Sequence, residues 1–385
     1  MERKWGEGRK RNRHQNSNED DPSPSGQTPS SPNKEEHAVT DLPLPDELLC
    51  HILQLTGPWY AAIAARTCRR WYACCPRKLR NQLSLRGVCR TLPLLRWAEQ
   101  NLCPVSDTRL CAAAAAEGQL EALHWLRKRA CPWDSATCHN AARGGHLAVL
   151  LWARQQGCRW DHHTCRHAAA GGQLEVLQCL HLNHCPWTEA TTIIAAEEGH
   201  LSVLQWAVEH GCPWNRITLC HRAAARGHLH ILKWLIEEKN CPLSAAACCN
   251  AAEGGHLHVL KWLRDKGCPW DSRTCADAAR GGHLELLQWA RQGSPSERPC
   301  PWNSVTCYNA AWRGHLEVLR WARDNGCPWN AQTCYFAAEG GHLEVLRWAL
   351  ENGCPYDKKA YFWAQQKGHV AVCTWLEANG YHEGS

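Results

Sequence analysis

The densest cluster of potential metal ligands lies in one short stretch, which contains Cys158, His162, His163, Cys165 and His167. Thiolate and imidazole are ligands that zinc prefers, so a zinc site is one interpretation of this stretch. Strong zinc sites pair their cysteines as Cys-x2-Cys, whereas cysteine pairs here lie seven residues apart whether or not histidine is nearby. We therefore interpret these cysteines as small buried hydrophobic residues, and we expect no metal and no cofactor, with zinc as the alternative.

No other group of residues in the sequence indicates catalysis. There is no nucleophile–base spacing, no phosphate-binding loop and no carboxylate pair in a suitable context, so we predict that the protein is not an enzyme. The net charge is +6, and residues 1–40 contribute none of it, because their basic and acidic side chains balance. This small surplus, spread over the rest of the chain, does not favour nucleic acid as the partner.

The 26 cysteines raise the question of compartment. The first 40 residues are polar and contain no apolar signal segment, and no run of about 18 apolar residues could cross a membrane. We therefore predict a cytoplasmic or nuclear protein without membrane association. Thiols are kept reduced in these compartments, so the cysteines do not indicate a disulfide framework.

The cysteines and tryptophans instead belong to a repeat. One cysteine recurs with a period of 27 residues across ten units, with longer gaps before Cys241 and Cys300, and a solenoid is the fold that such a period predicts. Its positions are Cys103, Cys131, Cys158, Cys185, Cys212, Cys241, Cys268, Cys300, Cys327 and Cys354.

Each unit is predicted to form two short helices. An Ala-Ala pair marks the first helix, a Gly such as Gly145 ends it, and leucines at helical spacing mark the second. A Cys-Pro-Trp loop follows, and the Asp or Asn after it suits the cap of the next first helix. Most of the 22 tryptophans fall at two framework positions, such as Trp152 and Trp160, and turn histidines such as His146 and His256 are predicted to hydrogen-bond in the turn. The fold class is therefore all-α.

The chain before the repeats divides into three segments. Residues 1–40 are rich in Pro and Ser and poor in aliphatic residues, which predicts a disordered leader. Residues 42–80 contain an apolar stripe at helical spacing and predict a small helical module. Residues 81–104 are interpreted as a capping half-repeat, and residues 105–385 as about ten repeats.

The module resembles an F-box. LPDELLCHIL from Leu44 to Leu53, followed by ARTCRRW from Ala65 to Trp71, is similar in residue type and separation to that family's two motifs. The resemblance implies docking onto the Skp-family linker of a cullin–RING ubiquitin ligase through a helical face. The residues that it implies for this contact are Leu44, Pro45, Leu48, Leu49, Ile52, Leu53, Cys68 and Trp71. The alternative is a plain helical cap on the solenoid.

The repeats resemble ankyrin units that lack six residues. The motif Ala-Ala-x-x-Gly-His-Leu-Glu-Val-Leu, followed by Gly and a short loop, is similar to that family, and the missing residues fall where its β-hairpin would be. Units of this Cys-Pro-Trp type resemble those of large DNA viruses of amoebae and of some protists, and an F-box joined to ankyrin units is typical of such viruses. If the protein is viral, the resemblance implies that it acts in a host cell. In ankyrin arrays, the first helices line a concave binding face.

The last three units differ from the others at the variable positions of the first helix. They contain both phenylalanines of the chain, together with tyrosines and tryptophans, and exposed aromatic residues typically dominate binding energy. We predict a target-binding site at Tyr308, Trp312, Tyr335, Phe336 and Phe362. The alternative is core filling in the terminal units, above all for Tyr361 and Trp363.

The sequence thus predicts a substrate-recognition adaptor of a cullin–RING ubiquitin ligase, in which the F-box docks the Skp-family linker and the solenoid binds a target protein. Its expected partners are that linker, the cullin and a target that the sequence does not identify. The alternative function is a binding scaffold that sequesters a partner without ubiquitination.

Overall fold

A computed structural model of the chain describes residues 89–100, 107–293 and 298–381, and every regular element within those ranges is a helix. The all-α prediction is therefore confirmed, and the region of the missing hairpin contains only short loops. The α-helices are α1 Leu92–Gln100, α2 Thr108–Ala116, α3 Leu120–Lys128, α4 Ser135–Gly144, α5 Leu147–Gln155, α6 His162–Ala170, α7 Leu174–Leu182, α8 Glu189–Glu197, α9 Leu201–Glu209, α10 Arg216–Ala225, α11 Leu229–Lys233, α12 Ala245–Glu253, α13 Leu257–Asp265, α14 Ser272–Gly281, α15 Leu284–Gln292, α16 Ser304–Trp312, α17 Leu316–Asp324, α18 Ala331–Glu339, α19 Leu343–Glu351, α20 Lys359–Gln366 and α21 Val370–Ala378.

The helices from α2 onward form ten pairs, in which even numbers are first helices and odd numbers are second helices. Each first helix packs against its own second helix and against the first helix of the next unit. The Asp or Asn after the loop Trp caps the first helix, as at Asp134, whose side chain accepts a hydrogen bond from the backbone N–H of Ala136. None of the described helices combines the length and the apolarity that a bilayer crossing requires.

The cysteines lie in the core and form hydrogen bonds there. Cys138 on α4 and the loop Cys158 are at most 2% exposed, and their thiols are hydrogen-bonded to each other. The Cys158 thiol donates in turn to the carbonyl of the helix cap Asp134, at 3.2 Å. The same thiol-to-carbonyl bond is donated by Cys185, Cys212, Cys268, Cys300, Cys327 and Cys354. The loop cysteine therefore joins two consecutive units.

The turn histidines also join consecutive units. Nε2 of His256 donates to the carbonyl of Ala225, 3.0 Å away at the end of α10, and the ring covers Gly227 of that preceding unit. The equivalent bond is made by His146, His200, His228, His283, His315, His342 and His369. The sequence predicted bonds within the turn, whereas the structure places the acceptor one unit earlier.

The tryptophans form a second set of contacts between units. The loop Trp133 packs edge-on against Trp152 of the next second helix, with ring centroids 5.8 Å apart. The guanidinium of Arg127 stacks on the Trp133 ring at 4.3 Å and donates to the carbonyl of Cys131. These contacts fix the loop against the second helices and leave the first helices to form a separate surface.

Two irregular units keep the same framework. One residue is taken up in a π-helical turn, Trp234–Glu238, which extends α11. The N–H of Cys241 therefore bonds to the carbonyl of Leu235, six residues earlier, and Cys241 is still only 5% exposed. After α15 an insertion lengthens the loop, and Cys300 nevertheless donates its N–H to the carbonyl of Ala290.

Candidate functional site

Five aromatic side chains of the last three units line up across the first helices α16, α18 and α20. The rings of Tyr308 and Phe336 lie 4.9 Å apart, and Trp312 meets Phe336 at 6.4 Å. Tyr335 meets Phe336 at 4.7 Å and Trp363 of the next unit at 6.5 Å. We call these five residues the aromatic ribbon. All five are half-buried, so each ring keeps accessible surface while its neighbours hold it in place.

A cavity of about 440 Å³ adjoins the aromatic ribbon between α18 and α20. Its lining combines Tyr335, Phe336 and Trp363 with the charged side chains of Asp357 and Lys359. Burial, followed by the nearby Glu339 carboxylate, raises the pKa of Tyr335, so its hydroxyl is protonated at neutral pH and can donate a hydrogen bond. The cavity therefore offers apolar surface with a few polar groups, a combination typical of sites that bind a partner's side chain.

Four of the predicted target-binding residues thus lie together, namely Tyr308, Trp312, Tyr335 and Phe336. Phe362 is 41% exposed and contacts Trp363 at 5.6 Å, so it lies at the edge of the aromatic ribbon. Trp363, which the sequence allowed as core, is half-buried and part of the surface. The sequence signal that could have placed it there is its position, one unit after Phe336.

The five potential zinc ligands do not converge on one point. The thiols of Cys158 and Cys165 lie in the core, where they bond to Asp134 and to Cys185, whereas the histidines lie at the surface of α6. Within the described ranges, no group of three or more His, Cys, Asp or Glu side chains is arranged to hold a metal ion. The hydrogen bond that the Cys165 thiol donates to Cys185, followed by burial, raises the pKa of Cys165, which keeps it protonated and unreactive.

The predicted linker-binding residues lie outside the described residues, so their role stays a prediction. They are Leu44, Pro45, Leu48, Leu49, Ile52, Leu53, Cys68 and Trp71. The proposed domain limits at 40, 42 and 80 also fall outside, while α1 lies within the segment 81–104 that was interpreted as a capping half-repeat.

Comparisons with known proteins agree with both parts of this organisation. A family model described as F-box-like matches residues 42–86, and one described as ankyrin repeats (many copies) matches residues 193–236 and 306–350. A crystal structure of the human ASB11 ankyrin repeat domain is similar at 18% identity, over 39% of this chain and 80% of that one, with a TM-score of 0.33. The search of curated proteins gives no match. The chain therefore combines an F-box-like segment with an ankyrin-like repeat solenoid.

Proposed function

We propose that the protein is the substrate-recognition adaptor of a cullin–RING ubiquitin ligase of the SCF type. The observation that carries the proposal is the order of its parts: an F-box-like match at residues 42–86, followed by a repeat array with accessible aromatic side chains on its first helices. The F-box-like segment docks the Skp-family linker, and through it the cullin, while the array holds the target. The adaptor itself needs no catalytic residue, because it contributes proximity to a ligase that other subunits supply.

The aromatic ribbon is proposed as the place where the target binds. Rigid aromatic side chains lose little entropy on binding and bury large areas, so they often carry most of the energy of an interface. The cavity lined by Asp357 and Lys359 adds polar groups that can orient a bound side chain. We propose that this takes place in the cytoplasm or nucleus, where a cullin–RING ligase would meet its target.

A pull-down with a purified Skp-family linker tests the adaptor function. The full chain is immobilised as wild type, as Leu48→Asp within the F-box-like match, and as Leu182→Asp, the matched control. Leu182 is 76% exposed at the end of α7, so an aspartate there meets water and disturbs no core contact. We expect wild type and Leu182→Asp to retain the linker, and Leu48→Asp to lose it, because a charge interrupts the apolar helical face.

Each outcome of this pull-down has a definite meaning. Loss in Leu48→Asp alone supports the adaptor. Failure of the wild type to retain the linker contradicts it and favours the scaffold that sequesters its partner without ubiquitination. Equal binding by all three forms shows that the linker contacts the chain elsewhere, which also contradicts the proposed docking.

A further inference from the structure

Three cavities follow one another along the first helices α4 to α12, far from the aromatic ribbon in sequence. The first, of about 220 Å³, is lined by Arg143, Arg166 and Ile194 among others. The second, of about 470 Å³, shares Arg166 and Ile194 with it and adds Glu197 and Arg222. The third, of about 350 Å³, shares Glu197 and Arg222 with the second. Because neighbours share lining residues, the cavities form one continuous depression, which we call the first-helix groove.

Cationic side chains are in excess in the first-helix groove. Arg222 pairs with Glu197 at 3.1 Å, but Arg143, Arg166 and Arg226 have no carboxylate within ion-pair distance among the described residues. Glu198 lines the same cavity as Arg143 and Arg166 and offsets only part of their charge. Glu253 lines the third cavity beside Arg226, but its carboxylate already pairs with Arg280 at 2.6 Å. The arginines are exposed, so an incoming anion can reach them without any rearrangement of the helices.

A histidine beside these arginines adds no positive charge to the first-helix groove. The His167 ring stacks on His139 with centroids 5.2 Å apart, and Nε2 of His139 lies 2.9 Å from the Asp161 carboxylate. Burial, followed by the positive charges of His139, Arg166 and Arg143, lowers the pKa of His167 to about 4. His167 is therefore neutral at physiological pH and lines the cavity as a polar surface rather than as a further cation.

We infer that the first-helix groove binds an extended acidic segment of the target protein, with carboxylates at Arg143 and Arg166 and an apolar side chain on Ile194. Charge complementarity carries this choice, because guanidinium forms strong bidentate hydrogen bonds with carboxylate and the unpaired arginines supply them. The inference rests on the proposed function and deepens it: the target would contact the array at two places, through its acidic segment and at the aromatic ribbon.

Fluorescence anisotropy with the full chain tests the inference. The probes are a dye-labelled peptide of alternating glutamate and leucine, the same peptide with glutamine for glutamate, and a short single-stranded DNA. The variant Arg143→Gln with Arg166→Gln removes the two free cations. The matched control, Arg320→Gln with Arg347→Gln, removes the same charge from exposed positions on the second helices α17 and α19.

We expect wild type and control to bind the glutamate peptide and to discriminate against the glutamine peptide, and we expect the groove variant to bind about tenfold more weakly. Equal binding of both peptides, or equal weakening in variant and control, would overturn the inference. So would DNA that binds more tightly than the glutamate peptide with the same dependence on Arg143 and Arg166. The linker pull-down on the same preparations keeps the two proposals apart: a groove variant that loses the peptide but retains the linker leaves the adaptor function intact.

Discussion

The histidine contacts between units make one glycine far less replaceable than another of the same conformation. Gly255 has φ +75° and Gly267 has φ +78°, so both occupy the left-handed region that disfavours a side chain. A Cβ at Gly255 would lie 2.5 Å from the ring of His283 in the next unit, whereas a Cβ at Gly267 would meet nothing within 4 Å. Replacing each by Ala therefore separates backbone strain from contact between units.

The expected magnitudes follow from these two environments. Gly267→Ala should lower the free energy of unfolding by about 1–2 kcal/mol, because the alanine must adopt the left-handed conformation. Gly255→Ala carries the same conformational cost and a second one from the His283 ring. If the ring stays in place, the new Cβ crowds it, which costs about 1–3 kcal/mol. If the ring moves away, its 2.9 Å hydrogen bond to the carbonyl of Glu253 is lost, which costs about 1 kcal/mol. We expect a total of about 2–5 kcal/mol for Gly255→Ala.

Urea unfolding followed by tryptophan fluorescence measures the shift in midpoint, and hydrogen exchange with mass spectrometry measures local opening of α12 to α15. The local measurement is needed because a repeat array can open in part rather than as a whole. The double variant Gly255→Ala with His283→Ala completes the comparison. It removes the ring that the new Cβ would meet, so its cost should fall below the sum of the two single variants by about 1–3 kcal/mol.

Two results would refute this reasoning. If Gly255→Ala and Gly267→Ala shift the midpoint equally, the ring of His283 contributes no steric constraint at Gly255. If the double variant is strictly additive, the two residues are not coupled, and the histidine does not join consecutive units in the way that the distances indicate.

Two further predictions concern pH and target binding. Burial lowers the pKa of His256 and of His342 in the folded state, so the unfolded chain takes up more protons as the pH falls. The free energy of unfolding should therefore be constant above about pH 7 and fall as the pH drops below the ordinary histidine pKa of about 6.5. Urea midpoints at pH 7.5 and pH 5.5 would detect this loss, and a higher midpoint at pH 5.5 would contradict it. Tyr308→Ala with Tyr335→Ala should weaken binding of a target by about tenfold or more, because the variant loses two aromatic side chains of the aromatic ribbon. The exposed control Leu182→Ala should bind the target as the wild type does. Unchanged affinity of the double variant would show that the aromatic ribbon is not part of the interface.

The fold was predictable because its signals are local and repeated. The Ala pairs, the turn glycines and the Asp or Asn after each loop Trp specify helix starts and ends without any knowledge of tertiary contacts, as at Asp134 and Gly145. The prediction that the cysteines are buried follows from their replacement of aliphatic residues, and Cys138 and Cys158 agree with it.

The contacts between units were not predictable in the same way. The sequence of one unit does not specify which carbonyl the His256 ring will reach, because the acceptor Ala225 is brought close only by the stacking of complete helix pairs. The same holds for the first-helix groove, where Arg143 and Arg166 come from different units and their shared cavity depends on the packing of α4 against α6.

The way in which the array absorbs extra residues has a consequence for its use as a recognition surface. The π-helical turn Trp234–Glu238 and the long loop before Cys300 change the spacing along the chain while the cysteines keep their buried bonds. The extra residues are thus absorbed within the unit that contains them, and the next first helix begins in its usual place in the array. The first helices on either side of each lengthened segment still pack against one another, α10 against α12 and α14 against α16. A long ligand that follows the first helices would therefore cross both irregular units without a break in the surface that it contacts.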